Sequence, residues 1–248
     1  MVTYVKNIYN WDQSKIDYLL QEIQEITLMI EEVVDIKIDY DEITPLIYLR
    51  VFIMGGNLKL SYIIRIRIEE AYPNTLPYCF EESNNFPKKG NDAIRRHITQ
   101  EIPYISPSIE GSFCMISPFR INKKFGCAPK DAYNTINLLL IDFLDWQENF
   151  NSKSLFYNSD YQHGYFGLRD SFVDEFGEKY LSDMDKILIF GALKDLESCK
   201  CFCGSQKPFR ICHIDVYNIL KDIDFDNEHI KRFIFDIINI KSRKHKYL

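Results

Sequence analysis

The sequence predicts an α+β fold, with one helix, an antiparallel strand meander and later helices, followed by a small helical domain around a metal-binding knuckle. Three patterns carry this expectation. Apolar residues recur at three- and four-residue spacing between Ile16 and Ile30, and they alternate with polar residues between Leu58 and Ile68. Four of the seven cysteines crowd into the stretch from Cys199 to Cys212.

The first helix follows Asp12, a residue suited to capping, and carries Ile16, Leu19, Leu20, Ile23, Ile26 and Ile30 as one apolar stripe. Three β-rich segments follow, Val33 to Tyr40, Leu46 to Met54 and Leu58 to Ile68, with Gly55-Gly56-Asn57 at a hairpin bend. A fourth short strand, Tyr78 to Glu82, leaves a Tyr72-Pro73-x-x-x-Pro77 turn. Periodicity then fails between about Asn84 and Gly111, which predicts a long irregular connection. Pro129 suits the first turn of the next helix, whose apolar face is Ile136, Leu139, Leu140 and Phe143. A helix is predicted from Met184 to Leu196, and two further stripes run through Val216 to Ile223 and Ile230 to Ile238.

Composition narrows the function classes. A formal charge of -6 gives no general reason to expect nucleic acid, although Lys241, Arg243, Lys244 and Lys246 make a local basic tail. The longest apolar runs fall far short of the roughly 20 residues of a membrane span, and residues 1 to 11 do not read as a signal peptide. A cytoplasmic protein with free thiols is expected, since an odd number of cysteines fits a disulfide framework poorly. Phosphate-loop, dinucleotide and His-Glu-x-x-His motifs are absent, so any activation by ATP falls to another protein.

Two constellations carry chemistry. In Gly111-Ser112-Phe113-Cys114-Met115 a cysteine follows the strand meander and precedes a long helix, a setting that can present a nucleophilic thiol. Cys127, just ahead of Pro129, is the rival nucleophile, and Cys79 sits inside a strand pattern as a core residue. The second constellation is Cys201-x-Cys203, eight residues, then Cys212-His213, which supplies four ligands for a closed tetrahedral shell. Zinc, in a structural role, is the expected ion.

The first part, roughly residues 10 to 180, resembles the ubiquitin-conjugating (UBC-like) enzymes. There a helix precedes a four-stranded antiparallel meander, a Tyr-Pro turn, an active-site loop with histidine and a Gly-x-x-Cys segment, and C-terminal helices follow. The likeness is closer to divergent prokaryotic members, through Arg96-His97, Gly111-Ser112-Phe113-Cys114 and His163-Gly164-Tyr165-Phe166-Gly167-Leu168. The resemblance implies a thioester on Cys114, with His97 and His163 as candidates to orient the loop or approach the site. The usual His-Pro-Asn triplet is missing: Ile98 and Thr99 follow His97, and sixteen residues separate it from Cys114. Asn91 and Asn122 are candidates for its oxyanion asparagine, and Asp142 and Asp145 for the acid that helps desolvate an incoming lysine.

The knuckle resembles the SEC-C zinc module, matching it at Cys201, Cys203, Gly204-Ser205, Arg210, Cys212 and His213, with Gln206 replacing a glycine. The two resemblances divide the chain into residues 1–180 and a helical domain at 181–248. They imply a protein substrate with a ubiquitin-like or flexible C-terminal tail, such as a cyclic-oligonucleotide synthase. They also imply a separate activating enzyme or primed donor, a docking partner for the zinc module, and a setting in prokaryotic antiphage (CBASS-like) defence. The alternative readings are a non-catalytic adaptor that binds such a tail or a defence protein, and a cysteine hydrolase pairing Cys114 with His97 or His163.

Overall fold

The computed structural model describes residues 12–40, 46–69, 72–73, 76–85, 111–113, 115–126, 128–149, 164–193, 195–223, 231 and 234–235. It has mixed α+β architecture with one four-stranded antiparallel sheet in the order β1-β2-β3-β4. The chain divides into two compact units, residues 1–115 with 128–155, and residues 116–127 with 156–248.

In the first unit, α1 (Gln13–Met29) begins where expected: the Asp12 side chain accepts from the Ser14 amide at 3.1 Å and satisfies one free donor of the first turn. Its buried face is Ile16, Leu19 and Ile26, with Glu22 among them. The sheet comprises β1 (Val33–Tyr40), β2 (Ile47–Ile53), β3 (Tyr62–Ile68) and β4 (Tyr78–Glu81). The core face follows directly from alternation. Ile47, Leu49, Val51 and Ile53 on β2 and Tyr62, Ile64, Ile66 and Ile68 on β3 are all at most 1% exposed, paired as Leu49 with Ile66 and Val51 with Ile64. Each such aliphatic side chain contributes about 1.5–3 kcal/mol on burial. On the other face Arg50 and Arg65 stand directly opposite each other. That like-charge pair is tolerated because Glu82 lies 2.8 Å from Arg50 and 3.4 Å from Arg65, and Asp39 lies 3.3 Å from Arg50.

The third strand starts later than its sequence suggests. Leu58 and Leu60 continue the alternation but lie in the turn, with Leu60 exposed, because Glu148 accepts from the backbone amides of Lys59 and Leu60 at 2.6 and 2.9 Å. Pro129 likewise precedes the next helix. Asp131 is its cap, accepting from the Asn134 amide at 2.8 Å. The helix runs through α3 (Ala132–Thr135), a π-helical stretch (Ile136–Leu140) and α4 (Ile141–Asn149) without interruption. Its Ile136, Leu139, Leu140, Phe143 and Leu144 are buried, and Phe143 packs against Phe113 with ring centroids 4.9 Å apart.

The second unit is built on aromatic packing. A 3-10 turn (Pro118–Arg120) leads into α2 (Ile121–Phe125), and α5 (Gly164–Phe176) supplies Phe172 and Phe176, stacked at 4.3 Å, with Phe119 edge-on to both at 6.2 Å. Arg120 reinforces this contact through Glu175 at 2.6 Å. A second 3-10 stretch (Glu178–Asp183) precedes α6 (Met184–Leu193), which ends three residues before the expected Leu196. The short α7 (Phe209–Cys212) and α8 (Ile214–Lys221) complete the unit and bury Phe209, Val216 and Leu220 against Ile187 and Leu188. Most of the Ile230 to Ile238 stripe lies outside the described residues, but Ile234 packs against this core. Among the described residues, no helix is long and apolar enough to cross a membrane.

Candidate metal centre

The knuckle is shaped by its backbone before any ion is considered. The Cys201 amide donates to the Lys207 carbonyl at 2.9 Å, and Lys200 and Pro208 form an isolated antiparallel bridge, so residues 200–208 close as a tight loop. Two positions inside it take left-handed backbone: Gly204 at φ 80° and Gln206 at φ 60°. Glycine takes this region without steric cost, whereas the side chain of Gln206 does not. That cost is partly offset by the Gln206 side-chain oxygen Oε1, which accepts from the Lys200 ammonium at 2.9 Å. The loop feeds α7, whose end carries Cys212 and His213. The His213 amide donates to the Phe209 carbonyl at 3.0 Å, and its own carbonyl accepts from the Tyr217 amide at 2.8 Å, which fixes the turn between α7 and α8.

This geometry brings four donors together. The ligand atoms of Cys201, Cys203, Cys212 and His213 all lie within 4.8 Å of one another and can hold a metal ion. Nδ1 of His213 is 3.0 Å from the Cys201 sulfur, and the sulfurs of Cys203 and Cys212 are 3.6 Å apart, too far for a covalent disulfide at about 2.05 Å. Aromatic rings hold the imidazole in place, with Phe202 at 5.0 Å and Tyr180 at 5.9 Å. The two thiols of the Cys-x-Cys pair differ electrostatically. Burial, the largest cause, pushes the Cys201 thiol up to about 12, while hydrogen bonding from Ser205 pulls the exposed Cys203 thiol down to about 7. Cys199 stays outside the cluster, with its sulfur turned to the Leu196 carbonyl at 3.8 Å.

Cys114, His97, His163, Cys127 and Asn91 lie outside the described residues. The chain on either side of Cys114 is described. Gly111 takes φ 85°, Ser112 forms an antiparallel bridge to Phe80 of β4, the Phe113 amide donates to the Cys79 carbonyl at 2.8 Å, and Phe113 and Met115 are buried. Cys79 is fully buried, and desolvation raises its thiol well above the ordinary range, in keeping with a core residue. Asp142 is exposed and Asp145 half-buried on α4, while Asn122 lies in α2.

A buried polar cluster in the first unit was not among the expected sites. Glu22, 3% exposed, receives the Tyr72 hydroxyl and the Tyr133 amide (3.0 Å), and beside it Asp131 receives the Tyr18 hydroxyl at 2.7 Å. The signal was present in the sequence, because Glu22 falls between Leu19 and Ile26 on the apolar stripe of α1. A carboxylate on a buried helix face needs partners. No protein-family model, curated protein or solved structure matches the chain.

Proposed function

We propose that this chain is a ubiquitin-conjugating-like acyl carrier that holds a protein C-terminus as a thioester on Cys114 and passes it to an acceptor amine. The observation that carries this reading is the attachment of Gly111-Ser112-Phe113 to β4. Together with the helix-then-meander order, it fastens the chain immediately before Cys114 to the sheet edge through the Ser112–Phe80 bridge and the Phe113 amide. A cysteine next to an anchored backbone suits a reaction that needs presentation more than it needs a general base.

The chemistry is two successive acyl transfers. The Cys114 thiolate attacks the carbonyl of a donor thioester, forming a new C–S bond as the donor thiolate leaves and takes up the proton that the cysteine lost. An amine then attacks the same carbonyl; the C–N bond forms, the C–S bond to Cys114 breaks, and the amine's proton passes to the departing sulfur. His97 and His163 would orient the loops around this site. The donor is a separate activating enzyme or a primed partner, and the transferred chain carries a ubiquitin-like or flexible tail, as a cyclic-oligonucleotide synthase in a prokaryotic antiphage system would.

The metal that Cys201, Cys203, Cys212 and His213 would hold is zinc, because three thiolates and one imidazole are one of its usual structural donor sets. When bound, it would serve as a structural crosslink, since four protein donors leave no position for an activated water. The knuckle then presents a rigid surface for a second protein partner. Free thiols and a thiolate metal site fit the reducing cytoplasm.

Competitive alkylation of the folded protein, with peptide-level mapping, tests the assignment of the nucleophile. With the knuckle thiols held by zinc, the carrier reading predicts that Cys114 reacts first, ahead of Cys127 and the buried Cys79; in metal-free protein the exposed Cys203, its thiol pulled down to about 7, would react as well. Preferential reaction at Cys127 would move the site, and uniform slow reaction at every thiol would favour the adaptor.

A further inference from the structure

We propose that Glu22, Tyr72 and Asp131 form a proton-operated latch between α1 and the head of the long helix at residues 132–149. The first amides of a helix have no partner within it and must find acceptors elsewhere. Here three consecutive amides find three different side chains. Ala132 donates to the Tyr72 hydroxyl oxygen at 2.8 Å, Tyr133 to Glu22 Oε1 at 3.0 Å and Asn134 to Asp131 Oδ1 at 2.8 Å. Glu22 Oε2 accepts the Tyr72 hydroxyl, and Tyr18, one turn earlier on α1, donates to Asp131 Oδ2 at 2.7 Å. Just ahead of the cap, the Lys130 amide ties the same turn to the Pro73 carbonyl at 3.1 Å.

The wiring is complete only when Glu22 is a carboxylate. A proton on Oε2 would reverse the bond to Tyr72, leaving the Tyr72 hydroxyl hydrogen without its acceptor and setting Glu22 beside the Ala132 amide as a second donor to the Tyr72 oxygen. A proton on Oε1 would confront the Tyr133 amide, so either one disturbs the contacts that fasten the two helices. Opposing the carboxylate are the groups that surround it. Glu22 and Asp131 are each 3% exposed, and Asp131 repels a second negative charge at the same helix head. The Tyr72 hydroxyl and the helix amides pull the other way. The balance of burial against these hydrogen bonds leaves the Glu22 carboxyl pushed up to about 7, so the two wirings interchange around neutral pH. Acidification through this range loosens the head of the long helix from α1, and alkalinisation fastens it.

The test is an NMR titration of the full chain from pH 5 to 8.5 that follows the Glu22 carboxyl carbon together with the Ala132 and Tyr133 amides. All three are expected to move together with a midpoint near 7, and the amide transitions are expected to vanish in Glu22→Gln. Tyr72→Phe serves as a second variant that keeps the carboxyl and the buried ring. Losing the donor that favours the carboxylate should move the Glu22 midpoint upward by about one unit. A Glu22 carboxyl that titrates between about 4 and 5, amides that stay still while it titrates, or an unchanged midpoint in Tyr72→Phe would each overturn the latch.

Discussion

The imidazole Nδ1 of His213 sits 3.0 Å from the sulfur of Cys201, with the Cys203 and Cys212 sulfurs 3.6 Å from each other in the same cluster. A tetrahedral zinc ion with ordinary bond lengths separates a sulfur from a nitrogen by about 3.5 Å and two sulfurs by about 3.8 Å. These two pairs are within about 0.5 Å of those separations, and since all four ligand atoms lie within 4.8 Å of one another the widest pair needs to close by about 1 Å. Elemental analysis should find one zinc per chain, and cobalt substitution should give a tetrahedral thiolate spectrum. Structural zinc contributes about 10–16 kcal/mol over four ligands, or about 3 kcal/mol each, so Cys212→Ser should weaken metal binding by about a hundredfold. A competition titration with a chromophoric chelator measures this.

Gln206 occupies a left-handed position at φ 60° inside the knuckle. Gln206→Gly removes the steric cost of that conformation but also the hydrogen bond from Lys200, which lies on an exposed surface. The net expectation is a gain in stability of about 0.5–1 kcal/mol, read as a raised urea midpoint with unchanged metal content. Gln206→Val, with a β-branched side chain at the same backbone angle, should lose stability instead.

Glu148 holds the β2–β3 connection from a distant part of the chain through the Lys59 and Leu60 amides and the Tyr62 hydroxyl at 2.9 Å. Glu148→Ala removes a charged acceptor from three donors at once. A loss of about 2–3 kcal/mol is expected, together with faster amide exchange at Lys59 and Leu60 while the β2–β3 ladder stays protected.

The raised Glu22 carboxyl also sets a direction for stability against pH. An unfolded glutamate ionises at about 4.5, and the folded one at about 7, so folding takes up a proton between those values. Because relief of the buried charge outweighs the latch hydrogen bonds that protonation releases, the stability associated with Glu22 is full below about 4.5 and is lost as pH rises to about 7, by at most about 3 kcal/mol. Glu22→Gln should remove this dependence. Urea unfolding at pH 5 and pH 8 should show the variant gaining on the wild type at the higher pH.

What the sequence disclosed depended on how local the cause was. The Cys201, Cys203, Cys212 and His213 set was legible because a single loop and one short helix bring these residues together. The meander was legible because alternation reports burial directly, as in Ile64, Ile66 and Ile68. The errors arose where a distant residue intervened. Leu58 and Leu60 fit the strand pattern, yet Glu148, almost ninety residues away, claims the backbone there. Pro129 looked like a helix start, but Asp131 provides the cap, with Tyr72 and Glu22 taking the neighbouring amides. Glu22 itself was visible as a charge on an apolar stripe, but its partners came from segments that no local pattern connects.

The most direct test of the central claim is intact-mass analysis of the chain expressed with its candidate donor and activating proteins, without reductant, as wild type, Cys114→Ser and Cys114→Ala. The acyl-carrier account predicts a thiol-labile adduct on the wild type, a hydroxylamine-labile ester on the serine variant, and no adduct on the alanine variant. An unmodified wild-type chain in a complex with the charged donor, or an adduct that survives Cys114→Ala, would contradict it.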